Sequence, residues 1–246
     1  MSHLHPIAVA LICLAACADG KDPSTDDTER VDTESSLGFT VSGQALDFTT
    51  QQPIGAGACV SLLDPTSMAM GGEAEPLGVG ETDAAGVFEI AGVQERPALG
   101  ILIRTEACDG GASLFPSISG IAPESYATLA DGAVLAGQFA FVLSGETAAE
   151  IDSSATLAGY TGAPTSDGMI VGLLLDEGSL PVAGGSVSCG GCTAFYADDD
   201  PSDGWFTTGL APNAATDPSG IFVLPGAGVG NYGADDGGAH TWTPFF

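Results

Sequence analysis

The chain has 246 residues, with 36 Gly, 4 Lys+Arg and 32 Asp+Glu, for a formal charge of -28. This length allows one large or two small domains. So acidic a surface repels nucleic-acid phosphates and anionic lipid headgroups, which excludes charge-driven docking on either and leaves cations such as calcium as permitted partners.

The chain opens MSHLHPIAVALICLAACADGKD, and residues 1–16 hold no Asp, Glu, Lys or Arg. The apolar run is too short for a membrane-spanning helix, which needs about twenty residues. It has the form of a secretory signal, and LAAC at residues 14–17 resembles the lipobox of bacterial lipoproteins. That resemblance implies cleavage before Cys17 and lipidation of Cys17. The n-region departs from the pattern in having His3 and His5 but no Lys or Arg. An ordinary signal peptide with a coincidental Cys17 is the alternative, and both readings export the protein. Residues 17–37 follow as an acidic tether rich in Asp, Glu, Ser and Thr, with too little apolar surface to fold.

An internal repeat comes next. FTVSGQALDFTTQQPIGAGACVSLL and ETDAAGVFEIAGV return as MIVGLLLDEGSLPVAGGSVSC and ATDPSGIFVLPG. Gly43 aligns with Gly172, Pro53 with Pro181 and Val60 roughly with Val187. Thr82, Asp83, Gly86 and Phe88 align with Thr216, Asp217, Gly220 and Phe222. Each copy reads as short strands separated by Gly, Pro and Asp punctuation. The TDxxG steps read as turns, and Phe88 and Phe222 as core residues.

The order G…D…PIxGAxV…TDxxGxFxI resembles the carboxypeptidase regulatory-like domain, a prealbumin-like β-sandwich, over about residues 38–110 and 166–246. The resemblance implies an all-β chain with two prealbumin/Ig-like sandwich modules in tandem. It implies no peptidase activity. The expected organisation is a signal over 1–16, a tether over 17–37, a sandwich over 38–115, a connecting segment over 116–165 and a second sandwich over 166–246. Within the connecting segment, residues 133–143 read as a strand or buried apolar segment. Residues 146–159 read as a short helix capped by Ser144, with Ala148, Ile151, Ala155 and Ala158 on one face and Gly159 at its end.

Of six cysteines, Cys13 lies in the signal and Cys17 is the lipidation candidate. Cys59, Cys108, Cys189 and Cys192 remain, an even set that fits disulfides in an exported chain. Three pairings are open, with Cys59–Cys108 and Cys189–Cys192 preferred. The alternative for CGGC is a redox or metal site. It sits in strand-like sequence rather than at a helix start, and zinc would need two further ligands.

Catalytic motifs such as HExxH, GxSxG and GxxxxGK[ST] are absent from the sequence. A triad has only His240 to draw on, and any glycosidase carboxylate pair chosen from so many acids is arbitrary. Beyond the tether only Arg96 and Arg104 are strong cations, too few to hold an anionic substrate; Arg104 reads as sitting near Glu106 on a strand. ADDDPSDGW places Asp198, Asp200 and Asp203 in one turn, a candidate calcium site, with Trp205 beside it as a candidate ligand-stacking residue.

The sequence therefore reads as a non-enzymatic lipoprotein of the bacterial envelope, on the outer membrane if the source is Gram-negative. Its modules have a structural or binding role, with a protein or glycan as ligand and no cofactor other than a possible calcium. The alternatives are a carbohydrate-binding or calcium-dependent adhesin and a secreted hydrolase.

Overall fold

The computed structural model describes residues 8–13, 38–69, 72, 74–176, 178, 180–189, 191–198, 215–227 and 232–238. Strand β1 (Ala8–Cys13) is followed by β2 (Phe39–Asp47), β3 (Ala58–Asp64), the helical turn α1 (Thr66–Ala69), β4 (Glu75–Glu81) and β5 (Val87–Val93). Then come β6 (Ile101–Ala107), β7 (Leu114–Phe115), β8 (Ser117–Ile121) and β9 (Val134–Ser144). Helix α2 (Gly145–Leu157) and the turn α3 (Pro164–Asp167) lead to β10 (Met169–Leu174), β11 (Ser186–Cys189), β12 (Phe195–Tyr196), β13 (Ile221–Pro225) and β14 (Tyr232–Asp235). The chain is mostly β, as its alternating short strands require.

An eight-stranded sheet runs β12-β13-β10-β1-β8-β6-β3-β4, a four-stranded sheet runs β5-β2-β9-β7, and β11-β14 form a two-stranded sheet. The first two face each other as a sandwich. Phe39, Val41, Phe88, Ile90, Leu135 and Val142 of the four-stranded sheet meet Val60, Leu62, Ile101, Ile103 and Ile121 of the larger one in a single core. Strand β6, ILIRTEA, shows how: Ile101, Ile103, Thr105 and Ala107 are buried while Leu102, Arg104 and Glu106 are less so, the period of two that a pleated strand imposes.

In the C-terminal half β10 and β13 are covered on both faces. On one side Ile151 and Ala155 of α2 pack with Met169, Val171, Ile221 and Val223. On the other, Val187 and Tyr232 of the small sheet pack with Ile170, Leu174, Phe222 and Leu224. Double coverage explains why all five residues of β13 are buried and apolar rather than alternating.

Helix α2 forms where the sequence places it. The Ser144 side chain accepts from the Thr147 backbone N–H at 3.0 Å, satisfying one of the N-terminal amides that lack a helical partner. Ala148, Ile151 and Ala155 are buried, Ala158 packs beside them, and the chain leaves the helix through Gly159 at φ 92°.

Two pairings are not evident from the sequence. Strand β9 lies parallel to β2, from Thr40↔Val134 to Asp47↔Val142, and β8 pairs with β6. The 116–165 interval thus contributes strands to the N-terminal sandwich as well as connecting it onward. The apolar N-terminal run supplies β1, which pairs antiparallel with β10 over six residues, from Ala8↔Leu174 to Cys13↔Met169, and touches β8 at one, Ile12↔Ile118.

Candidate functional site

The repeated TDxxG stretches build the same corner twice. The Asp83 Oδ1 atom accepts from the N–H groups of Ala85 and Val87, and the Asp217 Oδ1 atom accepts from that of Ser219. Gly86 N–H donates to the Asp83 carbonyl at 2.9 Å, and Gly220 N–H to the Asp217 carbonyl at 3.1 Å. Both glycines have positive φ, 73° and 71°. A Cβ at Gly86 would lie 3.1 Å from the Ala45 carbonyl oxygen and 3.1 Å from Pro53 Cβ. One at Gly220 would lie 2.7 Å from the Leu174 oxygen and 3.2 Å from Pro181 Cβ. The prolines close the other side through isolated bridges, Leu46↔Pro53 and Leu175↔Pro181. The threonines are buried. Thr82 Oγ1 accepts from Ala58 N–H, while Thr216 Oγ1 accepts from Gly185 N–H and donates to the Val182 carbonyl. Finally Gly43 pairs with Phe88 and Gly172 with Phe222. These side chains bond chiefly to backbone and build the corner, with Asp217 Oδ1 also accepting from the Ser219 hydroxyl and Asp217 Oδ2 buried without a hydrogen-bond partner among the described residues.

Arg96 and Arg104 are likewise engaged. Arg104 Nη2 lies 2.7 Å from Glu106 Oε2 on the same strand face, as the sequence suggests. Arg96 Nη2 donates to the Leu129 carbonyl at 3.0 Å and to Asp131 Oδ1 at 3.2 Å, and its guanidinium sits 5.2 Å from the centre of the Phe39 ring. Phe39 in turn stacks on Tyr126, whose hydroxyl donates to the Pro97 carbonyl at 2.6 Å. Sequence reasoning missed this Arg96–Phe39–Tyr126 group, since nothing in ESYAT distinguishes a buried tyrosine from an exposed one. Burial pushes the Tyr126 hydroxyl above its ordinary value of 10.0, and the charges of Asp64 and Glu124 add to the effect.

Cys59 and Cys108 form a disulfide. Adjacent antiparallel strands bring them together: Cys59 faces Glu106, Ala58 faces Ala107, and the Cys108 N–H donates to the Gly57 carbonyl at 3.1 Å. Glu81 pairs with Cys59 on the next strand, and ligand atoms of Cys59, Glu81 and Cys108 lie within 4.8 Å of one another. With the sulfurs joined the group has no thiolate, so it is a cystine beside a carboxylate rather than a metal centre. Cys192 is also disulfide-bonded, and the Cys189 side chain lies outside the described residues.

A cleft of about 450 Å³ opens between the β6–β7 region and α2, lined by Glu106, Leu114, Phe115, Ala148, Asp152 and Thr165 among others. Its two carboxylates are already held. Glu106 pairs with Arg104, and Asp152 accepts from both the backbone N–H and the hydroxyl of Thr165. The rest of the wall is mainly apolar or glycine, so the cleft offers shape without a poised acid, base or nucleophile.

Asp198 is among the described residues and is half-buried. Asp200, Asp203 and Trp205, the remaining candidates for calcium and ligand, lie outside them, as do Cys17, the tether and all three histidines, His3, His5 and His240. No helix among the described residues is long and apolar enough to cross a membrane.

No family model matches the chain, and no curated protein matches it. Among solved structures, a 9R-lipoxygenase from Cyanothece PCC8801 matches at 18% identity with a TM-score of 0.27. The match covers 47% of this chain and 18% of that one. A superposition this loose carries no argument about fold or chemistry.

Proposed function

We propose that this chain is an exported, lipid-anchored bacterial envelope protein without enzymatic activity. Its two prealbumin-like modules serve a structural or binding role outside the cytoplasm. The observation that carries the reading is LAAC at the end of an uncharged apolar run, followed at once by an acidic tract. Two acyl chains on Cys17 give stable anchoring where one gives only marginal binding. Ala18 after the cysteine favours the outer membrane if the cell is Gram-negative.

Three features support it. The Cys59–Cys108 disulfide fits an oxidising compartment. The duplicated Thr-Asp-x-x-Gly corners fit two copies of one module. Both arginines outside the tether are paired with carboxylates of the chain itself, which fits a protein that takes no anionic substrate.

The test is fractionation of cells expressing the chain and its Cys17→Ala variant, with intact mass of each product. The expected result is a membrane-bound product beginning at an acylated Cys17, and a variant that is released or left unprocessed. A Cys17→Ala product that is processed and stays tightly on membranes refutes the reading.

A further inference from the structure

We propose that the outer edge of β10, Met169–Leu174, is a strand-acceptor site. The N-terminal run Ala8–Cys13 fills it in the uncleaved chain. Once that run is removed, the site takes an extended, uncharged apolar segment of another polypeptide, antiparallel to β10. The second half of this statement rests on the export reading above; the first does not.

The repeat defines which edge this is. In the first copy β2 has a neighbour on each side, β5 at Gly43↔Phe88 and β9 at Gly43↔Gln138. In the second copy β10 occupies the place of β2, and β13 that of β5, at Gly172↔Phe222. The place that β9 holds is taken by β1, at Ala10↔Gly172. Among the described residues no strand C-terminal to β10 takes that edge: β13 and β12 extend the other side, and β11 and β14 form a separate sheet. The first copy completes itself from its own downstream chain, and the second borrows a strand from the N-terminus.

The pairing also identifies which surface is the acceptor. Strand β1 matches six residues of β10 but one of β8. Losing β1 therefore strips β10 of a six-residue ladder and β8 of one registered pair. It also divides the eight-stranded sheet, because β1 is the strand that joins the β12-β13-β10 portion to the β8-β6-β3-β4 portion. A bare edge with a row of unpaired N–H and C=O groups pairs readily with another chain.

Chemistry narrows the occupant. Met169, Ile170, Val171 and Leu174 are buried, and β10 is covered on both faces, by α2 and by the β11–β14 sheet. A strand entering beside it enters an apolar layer, so a charged side chain would be stranded there. The segment AVALIC has no charge. The protein's charge of -28 further disfavours an acidic donor.

The test places the lesion in the donor, so that the acceptor still folds. Full-length, uncleaved chain is compared with an Ala10→Pro/Leu11→Pro double variant by hydrogen exchange read by mass spectrometry. Neighbouring amides on a strand point to opposite sides, so replacing two in succession removes one that faces β10 whichever the alternation. Exchange across Met169–Leu174 should rise about tenfold or more, from the loss of its ladder to β1, while β2 keeps its protection. Adding the synthetic peptide of residues 6–15, with Cys13→Ser, to the variant should restore protection of β10. Unchanged exchange at β10, equal loosening of β2, or no rescue by the peptide each overturns the acceptor site. Because these arms use uncleaved chain, their failure leaves export and lipidation standing. Retention of residues 1–16 in cells instead refutes cleavage and lipidation at Cys17 and leaves the edge in place.

Discussion

Substituting alanine for glycine at the two equivalent corners gives a graded test of the fold, with a built-in control. Gly92, Gly86 and Gly220 share nearly the same backbone angle, φ 74°, 73° and 71°. They differ in what a new Cβ would meet: nothing within 4 Å at Gly92, two contacts at 3.1 Å at Gly86, and a carbonyl oxygen at 2.7 Å at Gly220. Left-handed backbone costs a residue with a Cβ about 1–2 kcal/mol, and alanine recovers about 0.4–1 kcal/mol by stiffening the unfolded chain. Gly92→Ala should therefore lose about 1 kcal/mol. Gly86→Ala adds the small displacement of Pro53 and should lose about 1–2 kcal/mol. Gly220→Ala forces backbone apart, and overpacking of that kind adds about 1–3 kcal/mol, for a total of about 2–4 kcal/mol. Urea midpoints at constant m-value measure the differences, and thermal melts should fall by about 2–4 °C per kcal/mol. If Gly220→Ala costs no more than Gly92→Ala, the close approach to Leu174 is not what fixes glycine in the corner, and the account of the repeat is wrong.

Further outcomes follow from the same structure. Replacing Cys59 and Cys108 by serine opens a link with sequence separation 49; the chain-entropy relation puts the loss at about 4 kcal/mol, read from denaturation midpoints with and without reductant. Tyr126 ionises later folded than unfolded, so its contribution is complete below pH 10.0 and disappears as pH rises through the higher folded value. Tyr126→Phe should lose about 1 kcal/mol near neutrality through its bond to Pro97 and should lessen the fall in stability as pH rises above 10.0. Burial raises Tyr160, Tyr196 and Tyr232 as well, so tyrosinate absorbance should develop late at all four tyrosines and early only on unfolding. Arg96→Ala should lose about 1–2 kcal/mol from the carbonyl bond and the Phe39 ring, whereas Asp131→Asn should lose at most about 0.5 kcal/mol, because the exposed ion pair contributes little.

The parts of the fold that were legible in the sequence are those fixed by neighbours in the chain. Thr82-Asp83-x-x-Gly86 and Thr216-Asp217-x-x-Gly220 dictate their corners within a few residues, and Ser144 with the Ala148–Ile151–Ala155 spacing dictates α2. The Cys59–Cys108 bridge was legible because both cysteines fall within the first half of the chain. What was not legible depends on partners far along the chain. VLAGQFAFVL announces an extended apolar segment, yet nothing in it specifies a parallel neighbour at Phe39–Asp47. AVALIC has the composition of a signal core, and only the bare edge of β10 makes it a strand. The cleft beside α2 was invisible for a related reason: Asp152 and Glu106 approach it from separate elements, and each carries its own local partner.

The parallel β2–β9 pair also governs the order in which a chain emerging N-terminus first can fold. A hairpin closes as soon as its second strand emerges, but β2 gains its second neighbour only when residues 134–144 have followed it out. Strands β3 and β6 are antiparallel neighbours well before that point, so the Cys59–Cys108 pair can be oxidised while the core behind it still lacks Leu135, Ala140 and Val142. A chain stalled before Val134 would carry a closed cystine and an open sandwich. When the chain emerges N-terminus first, the disulfide is thus an early staple on one sheet, and completion of the sandwich is a separate, later event timed by β9.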